Sequence, residues 1–339
     1  MRRSDAYHDA MTNPERNPAE VWCAAGGGTG TAAMASAVQV LGAREVPLGG
    51  PRAMTVRRTL PQRGRSLIGA WCFADHYGPD DVAITGGMDV APHPHTGLQT
   101  VSWLFAGHVE HRDSLWSHAL VHPGELNLMT AGAGIAHSEV STPDTTVLHG
   151  VQLWIALPDS ARFTERAFQH YAPELVDLGD GAEARVFLGS LAGSTSPVPT
   201  FTPLLGAELT LRAGASVTLD VDASFEHGVL VDQGSVLMAG QPLAAGELGY
   251  LAAGPRTLAL EATGSDSARV VLLGGEPFAE QIVMWWNFVG RSHDEIVAFR
   301  AAWQAQSEQF GEVTGYTGDV GRLPAPVLPN ARIKPRGNP

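Results

Sequence analysis

Two short histidine-bearing pairs carry the chemistry open to this chain. His93 and His95 stand one residue apart in HPHTG (93–97), and His137 and Glu139 stand one residue apart in AHSE (136–139). On a strand, side chains two apart point to the same face. If the two pairs lie on neighbouring strands facing one cavity, three imidazoles and one carboxylate converge. That donor set suits a borderline transition metal: iron, copper, manganese, nickel or zinc. Eight of the 13 histidines fall between His93 and His149, which adds weight to this stretch. Within it, His108, His118 and His122 read as polar loop residues and the spaced pairs as ligands.

The elements that must position these residues are strands and tight turns. Pro92 and Pro94 bracket His93, and proline fixes φ and offers no backbone donor, so HPH reads as a stiff strand entry or edge. LQTVSWLFAG (98–107) reads as a strand ending at glycine. Counting by two from His93 places Gln99, Val101 and Trp103 on the ligand face, provided that no bulge intervenes. Gln99, Trp103 and Met129 are therefore expected to shape the pocket around the ion, Gln99 as a hydrogen-bonding neighbour rather than a ligand. In HVEHRDS (108–114), Asp113 and Ser114 are expected to satisfy backbone donors of a turn. Gly132 and Gly134 precede the second pair, where close backbone approach or positive φ would exclude a side chain. His76, in SLIGAWCFADHYG (66–78), is expected to hold a turn.

HPHTGLQTVSWLFAGHVEHRDS followed by PGELNLMTAGAGIAHSE resembles the signature of the pirin family, within the cupin superfamily. The likeness extends over roughly residues 42–312. It implies a mainly β fold of two cupin-type antiparallel β-barrel domains with a C-terminal helix. It also implies one divalent transition metal, iron first, in the N-terminal barrel, with His93, His95, His137 and Glu139 as ligands. Gln99 stands where typical cupins and many pirins carry Glu, and Thr96 where pirins usually carry Arg. Several pirins are similar to quercetin 2,3-dioxygenases, so the resemblance implies a flavonol-type substrate and dioxygen meeting at the ion, with Glu139 as ligand and proton acceptor. Other pirins are regulators, so the alternative is a metal- or redox-dependent protein that binds a protein partner without catalysis. A fully closed structural zinc site is the rival reading of the same ligands.

Composition is consistent with this architecture. The chain has 339 residues, 44% hydrophobic and 17% charged, with 39 Gly and 23 Pro, which argues for two domains rich in turns and short strands. The net charge of −13 argues against a sequence-independent nucleic-acid surface. No apolar run is long enough to span a membrane and no signal core opens the chain, so a cytoplasmic location is expected. Cys23 and Cys72 are not expected to form a disulfide. The expected organisation is a flexible extension at 1–41, a metal-binding cupin domain at 42–158 and an inter-barrel connection at 159–200. A degenerate cupin with the C-terminal helix follows at 201–312, then a flexible tail at 313–339. GGGTG (26–30) lacks the Lys-Ser or Lys-Thr of a phosphate loop and reads as part of the arm. Two turns recur in the second half: Gly234-Ser-Val echoes Gly107-His-Val, and Gly246-Glu-Leu echoes Gly124-Glu-Leu. This suggests a duplicated unit that has lost its metal, since His227 is the sole histidine of residues 201–275. Ser292 and Glu295 form an S-x-x-E capping box ahead of Ile296, Phe299 and Trp303, predicting an amphipathic helix over roughly 293–310.

Overall fold

The alternating apolar pattern folds into two β-sandwich barrels, each a seven-stranded sheet facing a four-stranded one, with all paired strands antiparallel. The structure, a computed structural model, describes residues 38–48 and 54–338. The arm at 1–37, including GGGTG and Cys23, lies outside the described residues.

In the first barrel, the large sheet runs in space Ala167–Tyr171, Leu126–Thr130, Leu98–Ala106, Val147–Ala156, Trp71–Asp81, Met54–Leu60 and Arg44–Leu48. The small sheet facing it runs Asp89–His95, Ile135–Ser141, Val109–Asp113 and His118–Val121. HPH thus lies on an edge strand, as its prolines require. That edge is covered: the Leu323 amide donates to the Pro92 carbonyl (2.9 Å). Covering of this kind prevents pairing with another chain.

The second barrel repeats the plan. Its large sheet contains Leu204–Leu211, Glu226–Gln233 and Ala268–Gly275, and its small sheet Ser216–Asp220, Thr257–Ala262, Ser235–Met238 and Gln241–Ala244. The recurrent turns match in conformation as well as sequence: Gly107 and Gly234 have φ of 82° and 75°, and Gly124 and Gly246 of 74° and 84°. Val229, Val231, Leu258, Leu260, Val270 and Leu272 fill its interior. Between the barrels lies a third core, with Val101, Trp103, Val151 and Leu153 from the first meeting Phe187, Leu230, Leu248 and Leu273 from the second. The large sheet of the first barrel is therefore buried on both faces.

Three of the expected boundaries are corrected. Gln39–Leu41, assigned to a flexible extension, is a strand that pairs with Leu248–Leu251 on the edge of the second barrel. Residues 159–200 are more than a connection: Ala167–Tyr171 closes the first barrel's sheet, while Leu175–Gly179 and Ala182–Leu188 open the second's. The tail expected to be flexible at 313–339 is packed over its described residues, 313–338. Leu323 and Ala325 are buried in the core of the first barrel, the Trp303 indole donates to the Leu323 carbonyl (2.8 Å), and Arg336 bridges to Ile282. Its prolines hid this from pattern reading, because an extended tail contributes single anchors instead of a period.

The helix starts where the capping box predicts but ends six residues earlier than expected, spanning His293–Gln304. The Ser292 hydroxyl accepts from the Glu295 amide (3.2 Å), and the Glu295 carboxylate accepts from the Arg291 amide (2.7 Å). Ile296, Phe299 and Trp303 bury against Met88, Val90 and Phe288, so the helix seals the first barrel although it follows the second in sequence.

Candidate metal centre

His93 and His137 are direct cross-strand partners, and His95 sits one inward-facing position along the same strand, opposite Ile135. All three imidazoles are buried, with ligand atoms within 4.8 Å of one another. His95 Nε2 and His137 Nε2 are 3.1 Å apart. His93 Nδ1 donates to the Ala91 carbonyl (2.9 Å), which leaves its Nε2 as the bare nitrogen. Burial holds the His93 pKa down at about 4, against an opposing hydrogen bond from the Ala91 backbone. Burial, then neighbouring histidines, push His95 and His137 well below the usual imidazole range. Neutral, lone-pair-bearing rings converging in a buried space fit a transition ion better than they fit one another.

Glu139 lies outside the 4.8 Å group that the three imidazoles form, although it lines the same cleft as His93 and His95. The ladder between Asp89–His95 and Ile135–Ser141 is irregular between His137 and Glu139: His137 faces His93, whereas Glu139 faces Val90. The extra residue on the HPH strand makes a bulge, which re-aims the side chains beyond it. On its other side Glu139 pairs with His111, and its carboxylate falls within 4.8 Å of the His111 and His137 nitrogens. The Ser102 hydroxyl donates to Glu139 Oε1 (2.8 Å). Burial raises the Glu139 pKa, the nearby His111 and the Ser102 hydrogen bond opposing it.

Two of the expected pocket residues face elsewhere. Counting by two assumed that HPH continues into LQTVSWLFAG, but the strand ends at His95 and the next begins at Leu98. Gly97, at φ 67°, carries the chain from the small sheet to the large one and resets the alternation. Even-numbered residues Thr100, Ser102 and Leu104 therefore face the interior. Trp103 points to the second barrel, where its indole donates to Glu208 Oε2 (2.7 Å) and its ring packs on Phe187. Gln99 lies on that same outward face, opposite Ile155 and Thr130, and donates to Thr130 Oγ1 (2.9 Å). Met129, paired with Thr100, does face inward, packing with Ile135 and Phe168.

The narrow cleft beside the triad is lined by His93, His95, Phe73, Asp75, Tyr77, Gln152, Trp154 and Glu139 among others. Asp75 is held by the buried Arg58 through two hydrogen bonds (2.7 and 2.8 Å), and Phe73 stacks on Trp154 (4.1 Å). Sequence reasoning missed Ser102, Gln152, the Arg58–Asp75 pair and His111. The last was findable, since His111 and Asp113 share the one-apart spacing that marks both ligand pairs. Asp113 holds its turn as expected, Oδ1 accepting from the Leu115 and Ser117 amides (2.8 and 3.0 Å), whereas Ser114 Oγ accepts from the Ala136 amide of the neighbouring strand (3.2 Å) and not from its own turn.

The family models for pirin and for the pirin C-terminal cupin domain match residues 53–155 and 206–310. A Pseudomonas aeruginosa protein named "Putative quercetin 2,3-dioxygenase PA1205" is 43% identical over 86% of this chain and 91% of its own length. The chain belongs to the pirin family. This pirin is also 35% identical to a Caulobacter vibrioides pirin-like protein, over 74% of the chain and 88% of the relative. The crystal structure of quercetin 2,3-dioxygenase from Acinetobacter baumannii superposes with a TM-score of 0.82 at 39% identity, covering 89% of this chain and 98% of that one. These likenesses support an oxidoreductase with a candidate transition-metal site. Among the described residues, no helix is long and apolar enough to cross a membrane.

A second buried cluster lies between the barrels. His76, expected to hold a turn, is instead mid-strand, and with His149 presents Nε2 to Asp232 Oδ1 of the second barrel (2.6 and 2.5 Å). Arg269 occupies Asp232 Oδ2 (2.6 Å) and Arg57 lies against His76 (3.2 Å). With its acceptor taken on both oxygens and two guanidiniums alongside, this is a closed ion-pair network.

Proposed function

We propose that this pirin is a mononuclear metal-dependent oxidoreductase of the quercetin 2,3-dioxygenase type, acting on a flavonol or similar enolizable substrate with dioxygen. His93, His95 and His137 hold the ion, and Glu139, within 4.8 Å of a His137 nitrogen and lining the cleft with His93 and His95, reaches it as the fourth ligand. Iron is the first candidate, with copper, manganese, nickel and zinc as alternatives. The observation that carries this reading is the convergence of three buried, neutral imidazoles beside a cleft. When bound, the ion supplies Lewis acidity that lowers the pKa of a hydroxyl held against it.

The chain's own residues account for the rest. Glu139 is the group placed to take the substrate hydroxyl proton: burial raises its pKa toward that task, and Ser102 fixes one of its oxygens. The Phe73–Trp154 stack offers a flat wall for an aromatic ring. Asp75 and Gln152 offer polar contacts to ring hydroxyls, the Asp75 charge being neutralised by Arg58. Met88, Val90 and Tyr77 also line the cleft.

The test is loss of flavonol absorbance when protein loaded with each of the five metals meets quercetin in air, with an anaerobic control. Turnover in air alone, abolished by His93→Ala and by Glu139→Ala, is the expected result. A chain that binds metal yet turns over quercetin with none of them would sink the enzyme reading in favour of metal-dependent partner binding.

A further inference from the structure

Beside the triad, three buried groups form a single line of contacts across two strands. On the ladder between Val109–Asp113 and Ile135–Ser141, Asp113 faces His137 and His111 faces Glu139. Asp113 is anchored by the Leu115 and Ser117 amides on Oδ1, and its Oδ2 lies 3.1 Å from His111 Nε2. His111 Nδ1 lies 3.4 Å from His137 Nδ1, at the long limit of a hydrogen bond. The His111 ring is stacked on Phe168 (4.7 Å, 23°), which fixes its plane.

The chemistry of each atom then dictates where the protons sit. A carboxylate only accepts, so His111 Nε2 carries a hydrogen. If His111 carries only that hydrogen, its Nδ1 is bare and accepts, and His137 Nδ1 is the donor that faces it. His137 Nε2 is left bare, and that is the nitrogen 3.1 Å from His95 Nε2.

We infer that His111, oriented by Asp113, is a positioning residue for His137, setting the tautomer and ring angle with which His137 presents Nε2 to an ion. The inference rests on the metal reading above but not on the reaction. It competes with a ligand role for His111, because the His111, His137 and Glu139 ligand atoms also lie within 4.8 Å of one another. That alternative would engage His137 by its Nδ1 edge, away from His95.

Long-range proton–nitrogen NMR on metal-free and zinc-loaded protein reads each histidine tautomer and each zinc-bound nitrogen. The expected pattern is hydrogen on His111 Nε2 and His137 Nδ1 in both states, with zinc on His137 Nε2 and none on His111. Asp113→Asn places an amide donor against His111 Nε2 while keeping the Oδ1 acceptor for the turn. It is expected to reverse both tautomers and weaken zinc binding, by chelator competition, roughly 10- to 100-fold. His111→Leu is expected to weaken zinc similarly and His111→Gln, which keeps an acceptor, to recover much of the loss. Zinc on a His111 nitrogen, the opposite tautomer at His137 in the unaltered chain, or unchanged zinc affinity in Asp113→Asn would each overturn the inference. If His111→Leu fails to fold, the near-isosteric Asp113→Asn still decides. Should the unaltered chain take up no zinc at His93, His95 and His137, the metal reading falls, and the metal-free tautomers still judge His111.

Discussion

At the scale of single residues, the centre is decided by which face each side chain occupies. Gln99 is the clearest instance. Its type invites comparison with an acidic residue near the ion, yet its amide is spent on Thr130, on the face turned to the second barrel. Gln99→Glu should therefore leave bound metal and metal preference unchanged. It should instead lower stability on the order of 1–3 kcal/mol, the cost of a buried carboxylate with no cationic partner. Elemental analysis and a melting curve check both halves; a changed metal content would place Gln99 beside the ion after all. Ser102, one face over, is the residue that touches Glu139. Serine in a strand reads as ordinary surface polarity until its direction is known, so no sequence signal distinguished it.

At the scale of elements, Gly97 is the hinge between two sheets. A Cβ there would lie 2.2 Å from the Val289 carbonyl oxygen, and φ is 67°. The Val289 amide in turn donates to the Thr96 carbonyl (3.0 Å), tying the hairpin formed by Val283–Trp285 and Phe288–Gly290 to the end of HPH. Gly97→Ala combines a left-handed backbone penalty with a backbone clash. It should cost at least about 1–3 kcal/mol and shift His95, lowering metal affinity along with the melting temperature. A variant that melts normally and binds metal normally would show that the turn has slack. Gly132 plays the matching part before His137: a Cβ there would sit 1.9 Å from the Thr164 carbonyl oxygen. Its close approach was expected from the sequence, because glycines crowd directly ahead of the ligand pair. The role of Gly97 was not, because a lone glycine between two β patterns reads equally well as a continuous strand.

At the scale of the molecule, the two barrels are joined by more than apolar contact. Asp232 accepts from His76 and His149 of the first barrel and from Arg269 of its own. Burial alone would raise its pKa, but the His149 and His76 hydrogen bonds and the Arg269 charge outweigh burial and hold the carboxylate well below the usual range. Asp232→Asn removes that charge while leaving the shape. It should destabilise the chain by about 3 kcal/mol, the low end for a broken buried pair because Arg269 reaches water. Denaturant unfolding checks this; a change within error would mean that the apolar core alone joins the barrels. The termini reinforce the union. Gln39–Leu41 extends the second barrel, while the helix and tail that follow the second barrel close the first.

Residue types and their spacing by themselves determined the β architecture, the duplication, the helix with its cap, and the convergence of His93, His95 and His137. Strand periodicity fixes which neighbours share a face, and local turn chemistry fixes where a strand must stop, so both are written in adjacent residues. Only the tertiary structure decided that Gln99 and Trp103 face away from the cleft, that a bulge turns Glu139 toward His111 and Ser102, and that the tail is packed. Each of these depends on a contact between residues far apart in sequence or on one extra residue in a ladder. Parity along a strand has no memory of either once the chain has turned from one sheet into the next.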